Sequence, residues 1–160
     1  MYRLSYIKYE EEDFDQYYML VKHDSVMQYV TGKAPTLEES KIRFERIIKT
    51  NLEYNGLGYF KVYDSRQYIG LAKFAYYQDE KDFVEIGYLL FEDFWGMGYG
   101  STICKDLISN AKQTYFAKEL IALIEPENIA SRKILTNNDF ESFFLGEEND
   151  QPTEKLKLKL

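Results

Sequence analysis

Residues 95–101 read Trp95, Gly96, Met97, Gly98, Tyr99, Gly100, Ser101: three glycines at alternate positions, after an apolar run and before a helical pattern. Glycine lets a backbone approach a ligand with no Cβ in the way. The N–H groups that open a helix are unpaired and lie at the positive end of its dipole. Strand, glycine loop and helix in that order therefore make a cradle for an anion, with phosphate or pyrophosphate as the natural guest.

Two glycine-rich arrangements fail on spacing. A nucleoside-triphosphate loop needs Lys followed by Ser or Thr after its last glycine, and here Ser101 follows Gly100 directly. A dinucleotide fingerprint needs two residues between its second and third glycines, where this chain has only Tyr99, and it opens its domain rather than lying mid-chain.

A third arrangement fits. Preceded by Glu85, Ile86, Gly87, Tyr88, Leu89, Leu90 and Phe91, the loop resembles the strand, loop and helix signature of the GNAT superfamily of acyl-CoA-dependent N-acyltransferases. Downstream, Asn128, Ile129, Ala130, Ser131, Arg132, Lys133, Ile134, Leu135 and then Phe140 resemble the family segment that opens with Asn and ends in Gly-Phe. The two matches occur in the family's order and separation over the middle of the chain. Trp95 stands where many members carry Gln or Arg, and Met97 where many carry a base. Tryptophan at that place resembles the branch of ribosomal-protein N-terminal (alanine) acetyltransferases.

With 160 residues and 45% hydrophobic content, the chain suits one domain over residues 1–160 with a substantial core. A net charge of −7 repels nucleic acid and favours basic partners such as amines or cationic peptide ends. The lone Cys104 excludes an internal disulfide, and no apolar stretch is long enough to cross a bilayer. The N-terminus lacks the stretches of a signal peptide, so cytoplasmic location is the default expectation. No cluster has metal-ligand spacing. His23, in a polar stretch without a partner motif, reads as a surface residue.

Periodicity predicts a strand at Tyr2–Lys8 and a helix around Glu12–Val21. A second helix starts at Thr36, where Thr36, Leu37, Glu38, Glu39 form a capping box and Phe44, Ile47 and Ile48 share a face. A hairpin of Gly58–Tyr63 and Tyr68–Tyr77 turns through Asp64–Gln67, and Phe83–Phe91 alternates as a further strand. Cys104, Leu107, Ile108 and Ala111 mark a buried helix stripe, Leu120–Ile124 a strand covered on both faces, and a short helix follows Asn128. Phe140–Leu145 and Lys155–Leu160 read as late strands around a polar loop, Gly146–Pro152.

Patterning alone gives mixed α and β. The resemblance implies an α+β fold: a mixed, mostly antiparallel central sheet flanked by helices, with a splayed parallel strand pair holding CoA between Tyr88–Phe91 and Leu120–Ile124. It implies that the backbone of Leu89 and Leu90 bonds the pantetheine arm, that Gly96, Met97, Gly98, Tyr99, Gly100 and Ser101 bind the pyrophosphate, and that Asn128 both caps its helix and holds pantetheine. Lys105, Arg132 and Lys133 are the nearby cations. Glu85 is the candidate general base, a role that needs burial to raise a carboxyl pKa, and is otherwise an ordinary strand carboxylate. The family's usual thiolate-protonating tyrosine is replaced by Leu135, leaving Ser131 as candidate proton donor or simply a cap.

The implied activity is transfer of acetyl from acetyl-CoA, a co-substrate, to a primary amine by direct attack in a ternary complex, with no metal. The acceptor stays open among a peptide N-terminus, a polyamine and an aminoglycoside-like amine, and the chain is expected as monomer or homodimer without nucleic acid or membrane partners. The rivals are a catalytically silent acyl-CoA-binding regulator, suggested by Leu135 and by Asp139 in place of the family glycine, and a nucleotide- or flavin-binding module.

Overall fold

A computed structural model describes residues 2–114 and 117–160. The strands are β1 (Leu4–Lys8), β2 (Gly58–Asp64), β3 (Gln67–Tyr77), β4 (Glu80–Leu90), β5 (Glu119–Ile124), β6 (Glu141–Glu148) and β7 (Gln151–Lys159). The helices are α1 (Phe14–Val21), α2 (Asp24–Met27), α3 (Leu37–Glu53), α4 (Tyr99–Thr114) and α5 (Ile129–Thr136), with 3-10 turns at Glu11–Asp13 and Glu92–Phe94. Among the described residues the seven strands form one sheet in the order β1-β2-β3-β4-β5-β7-β6. Every neighbouring pair is antiparallel except β4 and β5, which run parallel.

The strand alternation decides which helix covers which face. Val84, Ile86 and Leu90 of β4, with Leu120 and Ala122 of β5, pack under Ile103, Cys104, Leu107, Ile108 and Ala111 of α4 and Leu135 of α5. Leu71 of β3, flanked by Leu89, packs on the other face with Tyr17, Leu20 and Val21 of α1, Val26 and Met27 of α2, and Phe44, Ile47 and Ile48 of α3. The α4 stripe and the α3 face are therefore as the sequence predicts. Thr36 caps α3, its hydroxyl accepting from the Glu39 N–H at 3.2 Å.

Four segments differ from the sequence expectation. Tyr2 lies outside β1; its ring stacks on Tyr99 at 3.9 Å and its hydroxyl donates to the Met97 carbonyl at 2.8 Å. A short α2 follows His23, which is exposed as expected, its ring edge-on to Phe91. The stretch 146–152 is mostly strand: β6 and β7 extend to a two-residue turn at Asn149 and Asp150, both left-handed (φ 52° and 60°). Left-handed conformation at both central residues is the hairpin turn that matches strand twist, and Asn and Asp tolerate it. Gln78 and Asp79 turn in the same way (φ 52° and 58°), which starts β4 at Glu80 rather than Phe83.

Candidate active site

The two parallel strands pair only briefly. Phe83, Val84 and Glu85 of β4 lie beside Glu119, Leu120 and Ile121 of β5, and there the ladder stops. Beyond it β4 stays with β3 as far as Leu90, while β5 stays with β7 as far as Ile124. Each strand follows its own ladder, and a gap opens between them from residue 86 on one side and 122 on the other. The splay therefore begins two residues later along β5 than the resemblance implied, since Leu120 and Ile121 are still paired. Backbone groups facing such a gap need a partner, and an extended ligand can supply one as an added strand would.

Antiparallel alternation identifies those groups. The Phe91 N–H donates to the Ile69 carbonyl at 3.1 Å, so Phe91 and, two residues back, Leu89 turn their backbone toward β3. The Leu89 carbonyl accordingly lies against Gly70, 2.0 Å from where a Cβ would stand. Tyr88 and Leu90 turn theirs toward the gap. The Leu90 carbonyl already accepts from the Trp95 indole at 3.0 Å, leaving its N–H as the gap-facing donor.

At the wide end of the gap sits the glycine loop. Gly96 (φ +70°) and Gly98 (φ +90°) hold left-handed backbone, and no side chain approaches within 4 Å of a Cβ at Gly96 or within 3.9 Å at Gly98. Helix α4 begins at Tyr99, and the Thr102 N–H donates to the Gly98 carbonyl at 3.1 Å, so the amides of Tyr99, Gly100 and Ser101 precede the first intrahelical bond and form the open first turn. Tyr99 pins the loop from below, its hydroxyl donating to Asp64 at 2.5 Å, a bond that pushes its pKa up to about 12. Gly100 has another duty: a Cβ there would stand 3.0 Å from the Tyr88 ring and 3.1 Å from Ile134. Trp95 and Met97 are exposed. Of the nearby cations, Arg132 is committed to buried Glu154 through Nε and Nη2, whereas Lys105 and Lys133 are exposed. Open, left-handed backbone at a helix start suits a pyrophosphate.

The side chains sort onto opposite faces of the sheet. Glu85, on the α3 side, forms an ion pair with Lys73 at 2.7 Å. Burial works against the Lys73 ammonium, but Glu85 and Tyr59 hold its pKa above the ordinary value. Glu85 also lines a cleft of about 460 Å³ with Tyr29, Val30, Arg43, Glu125 and Glu148. Glu148 is paired with Lys155. On the α5 side, Asn128 caps the helix, its side-chain oxygen accepting from the Ser131 N–H at 3.2 Å, and the Ser131 and Tyr88 hydroxyls stand 3.4 Å apart. Burial pushes the Tyr88 phenol up to about 12.

Residues 3–141 match the acetyltransferase (GNAT) domain family. The chain belongs to the GNAT acetyltransferase family. Its fold is shared with an acetyltransferase of the GNAT family from Bacillus anthracis (TM-score 0.78, 17% identity, 98% of this chain and 95% of that one). It is shared equally with RimL, a ribosomal L7/L12 alpha-N-protein acetyltransferase in complex with coenzyme A (TM-score 0.81, 18% identity, 98% and 94% coverage). The aminoglycoside acetyltransferase AAC(6')-Ib in complex with coenzyme A also matches (TM-score 0.80, 14% identity, 98% and 95% coverage).

Two departures from the usual GNAT pattern have structural answers. Asp139, where the family carries glycine, adopts the left-handed conformation (φ 67°) that a glycine would, and the chain still closes α5 through the Phe140 N–H to the Leu135 carbonyl at 3.1 Å. Leu135, where a tyrosine is usual, is buried in the core and points no polar group anywhere. Sequence reasoning passed over Tyr88, Lys73, Glu125 and Glu148. Tyr88 carries a legible signal, a phenol in the row of Val84, Ile86 and Leu90 that faces the helices, and a buried hydroxyl needs a partner. The others follow from pairings far apart in sequence.

Proposed function

We propose that this chain is an N-acetyltransferase, one domain over residues 1–160, that moves acetyl from acetyl-CoA to a primary amine by direct attack in a ternary complex. The ladder between β4 and β5 that ends at Glu85 and Ile121 carries the reading. It leaves an unpaired strip of backbone from the glycine loop to Glu85, with a carboxylate on one face of the sheet and two hydroxyls on the other. The opening amides of α4 would hold the pyrophosphate, and Tyr88 and Leu90 N–H groups the pantetheine arm, with Asn128 on the opposite wall. The Leu89 backbone faces β3 instead, and its side chain packs on the core under α1 and α3. Acetyl-CoA supplies the activated acyl group.

The amine would enter through the cleft on the α3 side. Glu85 takes its proton, directly or through water, and Lys73 competes with the incoming cation for that carboxylate. With Glu85 paired to Lys73 and Glu148 to Lys155, the cleft itself is close to neutral, and it is the net charge of −7 that favours a cationic amine. RimL and the aminoglycoside enzyme represent two of the acceptor classes, a protein α-amine and an aminoglycoside.

Thermal shift with acetyl-CoA, CoA, ATP and NAD, followed by a panel of amines with release of free thiol as readout, tests this. Stabilisation by acetyl-CoA and CoA alone, with thiol release on at least one amine, is the expected result. Stabilisation without turnover on any amine would leave a silent acyl-CoA-binding regulator, and stabilisation by ATP or NAD alone would overturn the CoA reading.

A further inference from the structure

We infer that Arg43 of α3 anchors the acceptor by an anionic group: the amine that this protein acetylates also carries a carboxylate, which the guanidinium holds while the nitrogen lies at Glu85. This deepens the N-acetyltransferase reading above and rests on it. The charges around the cleft carry the inference. Glu85 is paired with Lys73 at 2.7 Å and Glu148 with Lys155, while Glu125 accepts the Glu127 N–H at 2.8 Å. Arg43 lines the same cleft half-buried, and among the described residues its guanidinium has no ion-pair or hydrogen-bond partner.

Helix geometry puts it there. Ser40, Phe44, Ile47 and Ile48 are the buried face of α3, and Arg43, one turn before Ile47, leaves the edge of that face where core meets cleft. Burial pushes the Tyr17 phenol up to about 12, against the pull of the Arg43 charge. The positive charge is therefore felt in the apolar layer under the cleft as well as in solvent. A guanidinium offers its donors as a planar fork that matches the two oxygens of a carboxylate, a geometry that an ammonium lacks.

The remaining walls suit such an acceptor. Tyr29, Val30 and Pro152 give an apolar side, and the stretch from residue 28 to 36 that supplies the first two has no acidic side chain to neutralise Arg43. A plain cation meets a Glu85 already balanced by Lys73. An amine with a carboxylate meets one open guanidinium, together with Glu125, which no cation pairs among the described residues. A cleft of about 460 Å³ has room for an amino acid or for the first residues of a peptide. The carboxylate takes no part in the transfer: nitrogen forms the C–N bond and gives its proton to Glu85, and the C–S electron pair leaves with CoA.

The test reads thiol release from acetyl-CoA with amines offered in pairs that differ in the carboxylate alone: α-amino acids against their carboxamides, and peptide amides with glutamate against glutamine at the second place. Basicity works against the expected result, because removing the carboxylate lowers the amine pKa and leaves more free amine at neutral pH. The parent should prefer the carboxylate member by at least about tenfold in kcat/KM, in the first pairs if the cleft takes a free amino acid and in the second if it takes an acidic peptide N-terminus. Arg43→Gln should raise KM for that member about tenfold to a hundredfold at unchanged kcat and remove the preference. Arg43→Lys should restore part of it, and both variants should keep the parent's thermal stabilisation by acetyl-CoA. The parent's preference needs no variant, and Arg43→Lys supplies a second one if glutamine disturbs α3. Turnover of amines without that preference, or a preference that survives Arg43→Gln, overturns the anchor while acetyl transfer stands. Acetyl-CoA binding without thiol release on any amine overturns the transfer reading, and the anchor with it.

Discussion

Replacing Glu85 by glutamine keeps the length and strand pairing of the residue and removes its basicity. Two costs separate cleanly. The first is structural: Lys73 and Glu85 are 25% and 17% exposed, between a surface ion pair worth up to about 1 kcal/mol and a buried one worth roughly 3–5 kcal/mol to break. Glutamine still accepts from the ammonium, so a loss of about 1–2 kcal/mol follows, a fall of roughly 2–8 °C in Tm for a chain of this size. The second is chemical. Without a base the enzyme must wait for amine that is already free, roughly one part in a few thousand at neutral pH for an alkylamine, about a tenth for a peptide N-terminus. A positioned base contributes about a hundredfold to ten-thousandfold. Glu85→Gln should therefore lose about a thousandfold in kcat/KM with a polyamine-like acceptor and about tenfold with a peptide N-terminus, and the loss should shrink as pH rises toward the amine pKa. The assay is kcat/KM across pH for both proteins, with acetyl-CoA affinity measured separately. Parallel profiles, or a loss that does not recover at high pH, would refute the assignment and leave Glu85 as the partner of Lys73 alone.

Gly98→Val should abolish the thermal stabilisation by acetyl-CoA, because a branched side chain strains a φ of +90° and fills the open space over the helix start; calorimetry with and without ligand checks it. Asn128→Ala should cost about 1 kcal/mol in chemical denaturation through the lost cap, and should also weaken CoA binding in a direct titration. Lys73→Met removes the competitor for Glu85, so steady-state kinetics should show KM for a cationic amine falling by about threefold to tenfold at the same acetyl-CoA affinity.

The glycine loop, the Asn128 cap and the α4 stripe were legible because each is a local signal: spacing, a capping residue, a 3.6-residue period. The splay was not. Nothing in residues 83–90 or 119–124 announces where a parallel ladder stops, and the resemblance supplied it with an offset of two residues on β5. The turn at Asn149 and Asp150 hid because neither residue is glycine, although Asn and Asp accept the left-handed region almost as well. Tyr2 clasping Met97 from 95 residues away, and Lys155 meeting Glu148 across a hairpin, are tertiary facts with no counterpart in periodicity. Arg132 shows the converse: it sits beside the loop in sequence logic, yet Glu154 claims it.

Gly100 and Tyr88 touch, and that contact acts as a ruler. The first turn of α4 rests on the hydroxyl-bearing end of the phenol ring, whose oxygen also meets Ser131. The gap-facing backbone of Tyr88, proposed for the pantetheine arm, and the start of α4, proposed for the phosphates, are thus held in fixed relation by a single rigid ring rather than by a run of flexible chain. A methyl at Gly100 would push on the ring at 3.0 Å and shift the helix start and the strand relative to each other. Calibration of this kind lets a small protein measure an elongated molecule without enclosing it.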